Sequence, residues 1–579
     1  MKKNNLLFKD RLLNKNNYLL LNYKDFMLML TIGLFGFLFY VGWQDMHNPL
    51  TALTQLNDIS LSPEKLPYYS LRTTMRLIIG MVFSLLFAII VGYASAKNKH
   101  IARITLPIIN FLESAPLIGF LTFTTALFLF VFPKSIMGLE AAAIFGVFTS
   151  QAWNLALIFY QTLRIIPDDL IEVSQSFNLN AWQHLWRIEL PYSIPGLLWN
   201  TMVSQSAAWF AIVATEALPL GNKTIMLPGI GSYIQTALVN SDIKAICLAI
   251  IAIIINITLF DQFLFRPLVK WSEKFKYEDI TSTAPSTSWF YHLLTHSFIA
   301  NKFNHYYKIC IHSMINLPSY FVAKFKLSPL SLSSKIKQGS TGLWYLLFFA
   351  IFSYICYQLW LFFPNGSMLY LIPLMLKTTL RVAIAMLLSV ILFTPIGIWI
   401  GLNPRLTRLF QPIIQVLAAI PPNVLFPVIT IILVTTNQSL NLWAIPLIML
   451  GTLWYVLFNV IAGAASLPQN MLEMAKSFRL NGWNWWFKFM IPAIFPYIVT
   501  GIISAAGGAW NSAIAAEFLQ WGNQTITTDG IGALIAETTN NNQLHQAALA
   551  VSALCFLVSL CVIFIWRPLY RLAETRYKV

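Results

Sequence analysis

The sequence predicts an all-α polytopic membrane protein: two tandem six-helix bundles, about twelve transmembrane helices, with both termini cytoplasmic. Three observations predict it. Of 579 residues, 57% are hydrophobic and only 10% are charged, whereas a soluble domain carries roughly 25% charge. The apolar residues gather in stretches close to the roughly 20 residues that cross a bilayer. The second half of the chain repeats the first.

Apolar stretches fall near 26–43, 74–96, 107–132, 138–161, 194–218 and 243–265, then near 342–363, 378–401, 412–435, 441–465, 495–518 and 545–566. An even number of spans per half returns both termini to one side. The two tails and the loops 97–106, 162–193, 266–341, 403–411 and 466–490 hold 30 of the 38 Lys and Arg, so the positive-inside rule makes them cytoplasmic. Topology thus accounts for the formal charge of +16, and nucleic acid is not an expected partner; membrane lipids are. Lys2, Lys3, Lys9, Arg11 and Lys15 precede the 26–43 stretch, which has no clear small-residue cleavage site and reads as a retained span. Cys247, Cys310, Cys356, Cys555 and Cys561 form no CxxC pair, so neither a metal site nor a disulfide framework is expected.

The repeat shows as near-constant offsets. Thr73, Thr74, Arg76, Gly92, Pro107 and Pro116 recur 305 residues later as Thr378, Thr379, Arg381, Gly397, Pro412 and Pro421. From Trp153/Trp454 onward the offset is 301, ending at Arg266-Pro267-Leu268 and Arg567-Pro568-Leu569. The domains read as a tail 1–25, a first bundle 26–278, a basic, aromatic-dotted linker 279–341 and a second bundle 342–579. Two repeats of even span number share one orientation, related by an axis along the membrane normal, and a pathway between them is the natural consequence.

The loops after the fourth spans carry the most information. "PDDLIEVSQSFNLNAWQHLWRIELPYSIP" and "PQNMLEMAKSFRLNGWNWWFKFMIPAIFP" each open on a proline, Pro167 or Pro468, and proceed as an amphipathic helix; proline is expected to end the pattern at Pro191 or Pro492. Ile171, Ser174, Phe177 and Leu179 alternate with Glu172, Gln175 and Asn178, so one side is expected to pack on the bundle while the other meets a partner.

Here the chain resembles the permease family of binding-protein-dependent ABC importers, whose signature is a Glu-Ala-Ala loop, a Gly and an Ile-x-Leu-Pro ending. Glu172, Ile188, Leu190 and Pro191 match in one copy, and Glu473, Ala475, Ile491 and Pro492 in the other. Val173, Ser174 and Met474 depart from the alanines, and Asn178 and Arg479 stand at the glycine. "LPIINFLESAPLIGF", "FQPIIQVLAAIPPNVLF", "WFAIVATEAL", "WNSAIAAEFLQWGNQTI", "GIGSYI" and "GIGALI" look closest to the duplicated branch importing nitrate, sulfonate, taurine and bicarbonate.

The resemblance implies a permease, not an enzyme, in a bacterial inner membrane. It would work with a cytoplasmic ABC ATPase dimer and a periplasmic or lipid-anchored solute-binding protein. The coupling residues it implies are Glu172, Ser176, Phe177, Leu179, Trp182 and Pro191, with Glu473, Ala475, Ser477, Phe478, Leu480, Gly482, Trp483 and Pro492 in the second loop. No G-x-x-x-x-G-K-[ST] phosphate loop occurs, so ATP and Mg would be bound by the partner ATPase and no cofactor by this chain. The solute implied is a small inorganic or organic anion. The alternatives are an ABC importer of another solute and a secondary transporter, which also uses repeats.

Charged and polar groups in the spans are candidate pathway residues. Arg76 and Arg381 start the second spans, where they can attract an anion or pair within the bundle. Glu113 lies in the third span, with Ala418 as its repeat equivalent. Trp209 and Glu216, and Trp510 and Glu517, recur seven residues apart, about two helical turns, and fit either an outer gate or interfacial anchoring. Asn511 and Ser512 stand where the first half has Phe210 and Ala211. Gly229-Ile230-Gly231 and Gly530-Ile531-Gly532 are expected to make tight outer turns.

Overall fold

The computed structural model describes residues 25–30, 59–114, 117–133, 135–220, 223–275, 288–297, 367–436, 438–522, 524–541 and 543–576, with isolated positions between them. The span expected at 342–363, most of the one at 26–43, and the linker 279–341 apart from 288–297 fall largely outside these residues. The chain divides into two compact units, residues 1–45, 158–202 and 258–337, and residues 46–157, 203–257 and 338–579.

The first repeat runs α1 (Leu66–Lys97), α2 (Lys99–Ser114), α3 (Leu117–Val131), α4 (Ile136–Arg164), α5 (Asp168–Ser176), α6 (Ala181–His184), α7 (Leu190–Glu216), β1 (Ala217–Leu220), β2 (Lys223–Met226), α8 (Ile230–Val239), α9 (Ile243–Phe260) and α10 (Arg266–Ser272). A short α11 (Trp289–His296) follows. The second repeat runs α12 (Ser367–Gly401), α13 (Pro404–Ala419), α14 (Pro422–Thr436), α15 (Leu440–Leu450), α16 (Leu453–Ala465), α17 (Gln469–Ser477), α18 (Gly482–Trp485), α19 (Ile491–Ala516), β3 (Phe518–Trp521), β4 (Gln524–Thr527), α20 (Ile531–Asn540), α21 (Leu544–Cys561) and α22 (Arg567–Arg576). Among the described residues seven helices are long and apolar enough to cross a membrane, or eight if α13 and α14 form one broken span. The chain is an all-α polytopic membrane protein with two short hairpins added.

The third span of the second repeat is broken, where the sequence suggested a single helix. α13 and α14 meet at 77° across Ile420 and Pro421. Proline removes the N–H that would continue the ladder, so the break falls where proline sits.

Pro191 and Pro492 do the opposite of what was expected. Helix runs on through them, and the turn before each is widened to π form at Leu185–Glu189 and Trp486–Met490. The same widening precedes Pro267 and Pro568, at Asp261–Phe265 and Val562–Trp566. A proline ring clashes with the carbonyl four residues back; one wider turn displaces that carbonyl and lets the helix continue. In each case the residue before the proline bonds five residues back, as Leu190 N–H does to Leu185.

The hairpins were also unforeseen. β1 pairs antiparallel with β2 from Ala217↔Met226 to Leu220↔Lys223, and β3 with β4 from Phe518↔Thr527 to Trp521↔Gln524. The readable signal was Gly-Asn at 221–222 and 522–523 between two β-prone runs.

In a bilayer, packing and polar contacts rather than water exclusion hold helices together. In the second repeat Val382, Leu447, Ile448, Trp510, Ala513 and Leu554 form a buried cluster. α15 and α19 approach so closely at Gly508 that a Cβ there would lie 2.5 Å from the Gly451 carbonyl oxygen.

Candidate functional site

Near one end of each repeat a buried ionic network joins the second and fifth spans. On α1, Arg76 Nε donates to Glu140 Oε2 at 2.6 Å and its Nη1 to Glu216 Oε1 at 2.7 Å and the Pro228 carbonyl at 2.9 Å. Arg72 Nη2 donates to Glu140 Oε1 at 2.6 Å. Glu216 also accepts Thr73 Oγ1 and Gly231 N–H, each at 2.7 Å. On α12, Arg381 Nη1 donates to Glu517 Oε1 at 2.8 Å and to the Asp529 carbonyl at 2.9 Å, while Glu517 accepts Thr378 Oγ1 and Gly532 N–H, each at 2.8 Å.

The two networks differ by compensating changes. Asn441 stands at the offset-301 equivalent of Glu140, and Lys377 at the offset-305 equivalent of Arg72. Lys377 pairs instead with Asp529 at 2.8 Å. Each half therefore keeps two cations and two carboxylates, although the Lys377–Asp529 pair of the second half is exposed. The Lys377 ammonium holds the exposed Asp529 carboxyl below its ordinary range.

These contacts explain the recurring Thr-Thr-x-Arg and Gly-Ile-Gly motifs. A Cβ at Gly229 would sit 2.2 Å from the Glu216 carboxyl and one at Gly231 2.3 Å from the Val213 carbonyl oxygen; Gly530 is equally close to Glu517, at 2.1 Å. Gly229 and Gly530 are extended, at φ −179° and −169°. The chain bends at Gly229 and Gly530, and the glycines also make room there for the buried carboxylate. Sequence reading missed Arg72 and Glu140, although Glu140 was a charge inside a span and could have been flagged.

Trp209 and Trp510 are buried in the helix bundle, which is not the position of an interfacial anchor. A cavity of about 130 Å³ lies between the repeats. α2, α3, α4 and α7 line it from the first, and α14, α15, α16 and α19 from the second. Its wall includes Glu113, Trp153, Asn154, Tyr455, Asn511 and Ser512. Asn511 Oδ1 accepts the Leu117 N–H at 2.8 Å, capping the start of α3 from the opposite repeat. Asn423 Nδ2 reaches back to the Phe210 carbonyl at 3.5 Å. Glu113, Asn511 and Ser512 thus share one cavity, whereas Arg76, Arg381, Glu216 and Glu517 sit within their own networks.

The two loop helices α5 and α17 repeat each other closely. α5 starts after Pro167 and α17 after Pro468, residues that pre-set φ and need no donor. Each ends with its next residue but one in the left-handed region, Asn178 at φ 50° and Arg479 at φ 52°. Leu179 N–H then bonds to the Ser174 carbonyl, and Leu480 N–H to that of Ala475, both at 3.1 Å. This is the geometry a glycine serves best.

Ser174 and Ala475 are buried; Leu179, Leu480, Trp182, Pro191 and Pro492 are half-buried. Glu172, Ser176, Glu473, Ser477, Gly482 and Trp483 are exposed. Phe177 was expected to pack inward but is 74% exposed, and Phe478 is 71% exposed. With Val173 and Met474 also exposed, each loop presents a glutamate beside an uncovered apolar pair.

Residues 84–266 and 393–579 each match the family described as binding-protein-dependent transport system inner membrane component. The chain belongs to that family, and it is a multi-pass inner-membrane protein carrying the permease domain twice. It is 33% identical over 171 residues to the bicarbonate transport system permease protein CmpB of Synechocystis sp., covering 30% of this chain and 58% of that one. It is 30% identical over 171 residues to the nitrate import permease protein NrtB of Leptolyngbya laminosa, with the same coverage. To the taurine transport system permease protein TauC of Escherichia coli it is 26% identical over 155 residues, 27% of this chain and 53% of that one. The chain thus spans 58% of the length of the bicarbonate and nitrate relatives it matches.

Proposed function

We propose that this chain is the complete transmembrane pathway of an ATP-driven importer, its two fused halves replacing a permease dimer. A cytoplasmic ABC ATPase dimer, which binds the ATP and Mg, docks on α5 and α17, and closure of that dimer rocks the two bundles. A periplasmic or lipid-anchored binding protein delivers the solute. The observation that carries this reading is the duplicated helix with an exposed glutamate and apolar pair, Glu172 with Phe177 and Glu473 with Phe478, in loops the charge distribution makes cytoplasmic. The relatives' names support a small solute bearing an anionic group.

The test is purification of the tagged chain in mild detergent from its native membrane, followed by mass spectrometry, for the wild type and a Glu172→Arg/Glu473→Arg double variant. An ATPase that accompanies the wild type and is lost from the double variant supports the assignment. Uptake driven by an ion gradient, with no ATPase recovered even after cross-linking, replaces it with secondary transport.

A further inference from the structure

The cavity between the repeats holds a feature that an inorganic-anion path would not. Glu113, at the end of α2, is the one charged residue among the described residues lining it; none of those is Lys, Arg or His. The Glu113 side chain is exposed, and among the described residues it has no hydrogen-bond or ion-pair partner. The other carboxylates of the first-repeat spans are held: Glu140 by Arg72 and Arg76, Glu216 by Arg76, Thr73 and Gly231, and Asp261 by Arg266 at 2.8 Å. The arginines first considered as anion attractors are spent in those networks.

The rest of the wall has matching chemistry. Trp153 and Tyr455 are aromatic residues of the wall, and Ser150, Ser204 and Ser504 add hydroxyl-bearing ones. A carboxylate beside aromatic faces attracts a cationic nitrogen through both the charge and the ring quadrupole. It repels an anion that carries no donor. Ala418 at the equivalent place leaves one such group per chain, so the site has a single polarity.

We infer that Glu113 receives a cationic or N–H-donating nitrogen of the solute in this cavity, so that the cargo is an amine-bearing organic ion, zwitterionic if it also carries the anionic group, and not an inorganic oxyanion. This rests on the reading of the chain as a permease with its path between the halves.

The experiment has two arms on the assembly purified from native membranes with its ATPase and binding protein. In proteoliposomes, ATP-driven uptake of labelled nitrate, bicarbonate, taurine and ethanolamine is compared for wild type, Glu113→Gln and Glu113→Asp. An amine-bearing probe is expected to be carried, with at least a tenfold loss in Glu113→Gln and partial recovery in Glu113→Asp, while the ATPase still co-purifies. Nitrate or bicarbonate uptake that Glu113→Gln leaves unchanged overturns the inference.

The second arm needs no transported probe. Ser504→Cys in a cysteine-free background is reacted with small cationic and anionic methanethiosulfonates. The cationic reagent is expected to react at least tenfold faster, and the ratio to fall towards one when Glu113→Gln is added. Equal rates with Glu113 present overturn the inference, because a protonated Glu113 would then donate to an anion. A cation preference in a chain that recovers no ATPase sinks the importer reading and leaves the Glu113 assignment standing.

Discussion

Replacing Arg76 by methionine tests whether the arginine networks hold the bundle or serve the path. Arg76 is fully buried, and its guanidinium meets two carboxylates at 2.6–2.7 Å and the Pro228 carbonyl. Methionine fills much of the same volume but leaves Glu216 with only Thr73 and Gly231 as donors, and Glu140 with Arg72. Removing one member of a buried ion pair costs about 3–5 kcal/mol, and because two carboxylates lose their Arg76 contacts at once, Arg76→Met belongs near the upper end. Arg381 meets one carboxylate and its side chain is 11% exposed, so Arg381→Met belongs near the lower end, about 3 kcal/mol.

At about 2–4 °C per kcal/mol, the detergent-solubilised midpoint should fall by roughly 10–20 °C for Arg76→Met and roughly 6–12 °C for Arg381→Met. Size-exclusion of a fluorescent fusion after heating measures both. Adding Glu216→Gln to Arg76→Met should recover part of the loss, since a neutral amide is cheaper to bury than an unpaired carboxylate. A midpoint for Arg76→Met within 2 °C of wild type, with uptake abolished, would refute the reasoning and return Arg76 to the pathway.

Arg479→Gly relieves a left-handed backbone at the end of α17, and after the extra chain entropy of glycine it should add about 0.5–1 kcal/mol of stability and raise the midpoint slightly; Asn178→Gly should gain less, since Asn tolerates that region, and the same heating assay ranks the two. Gly507 has nothing within 4 Å of a built Cβ and lines the cavity, so Gly507→Leu should block uptake with the midpoint unchanged, whereas Gly508→Ala, facing the Gly451 carbonyl, should lower the midpoint. The Lys377–Asp529 pair lowers the Asp529 pKa, so its small stabilisation is present above the ordinary aspartate range and fades as pH falls through it. Because both groups are largely exposed, Asp529→Asn should shift the midpoint by under 1 °C at pH 7, and by still less near pH 3.

Much of this fold was legible because duplication writes each feature twice. The offsets of 305 and 301 marked Thr73/Thr378, Arg76/Arg381 and Glu216/Glu517 as sets before any contact was known. What they touch was not legible. Arg76 and Glu140 lie 64 residues apart, and only the approach of α1 to α4 makes them a pair. The broken third span of the second repeat was partly signalled by Pro421, but proline misled at Pro191 and Pro492, because a π turn absorbs the clash and leaves no trace in composition. Phe177 misled for a different reason: helical periodicity identifies an apolar side chain without saying whether this chain or another one covers it.

The cap that Asn511 places on Leu117 gives the fused halves a fixed order. The position equivalent to Leu117 is Pro422, whose nitrogen carries no hydrogen, and the position equivalent to Asn511 is Phe210. Two copies of the second half would aim both asparagines at prolines with nothing to donate, and two copies of the first would leave both Leu117 N–H groups facing phenylalanine. Descended from one repeat, the halves now share a contact that neither could make with a second copy of itself.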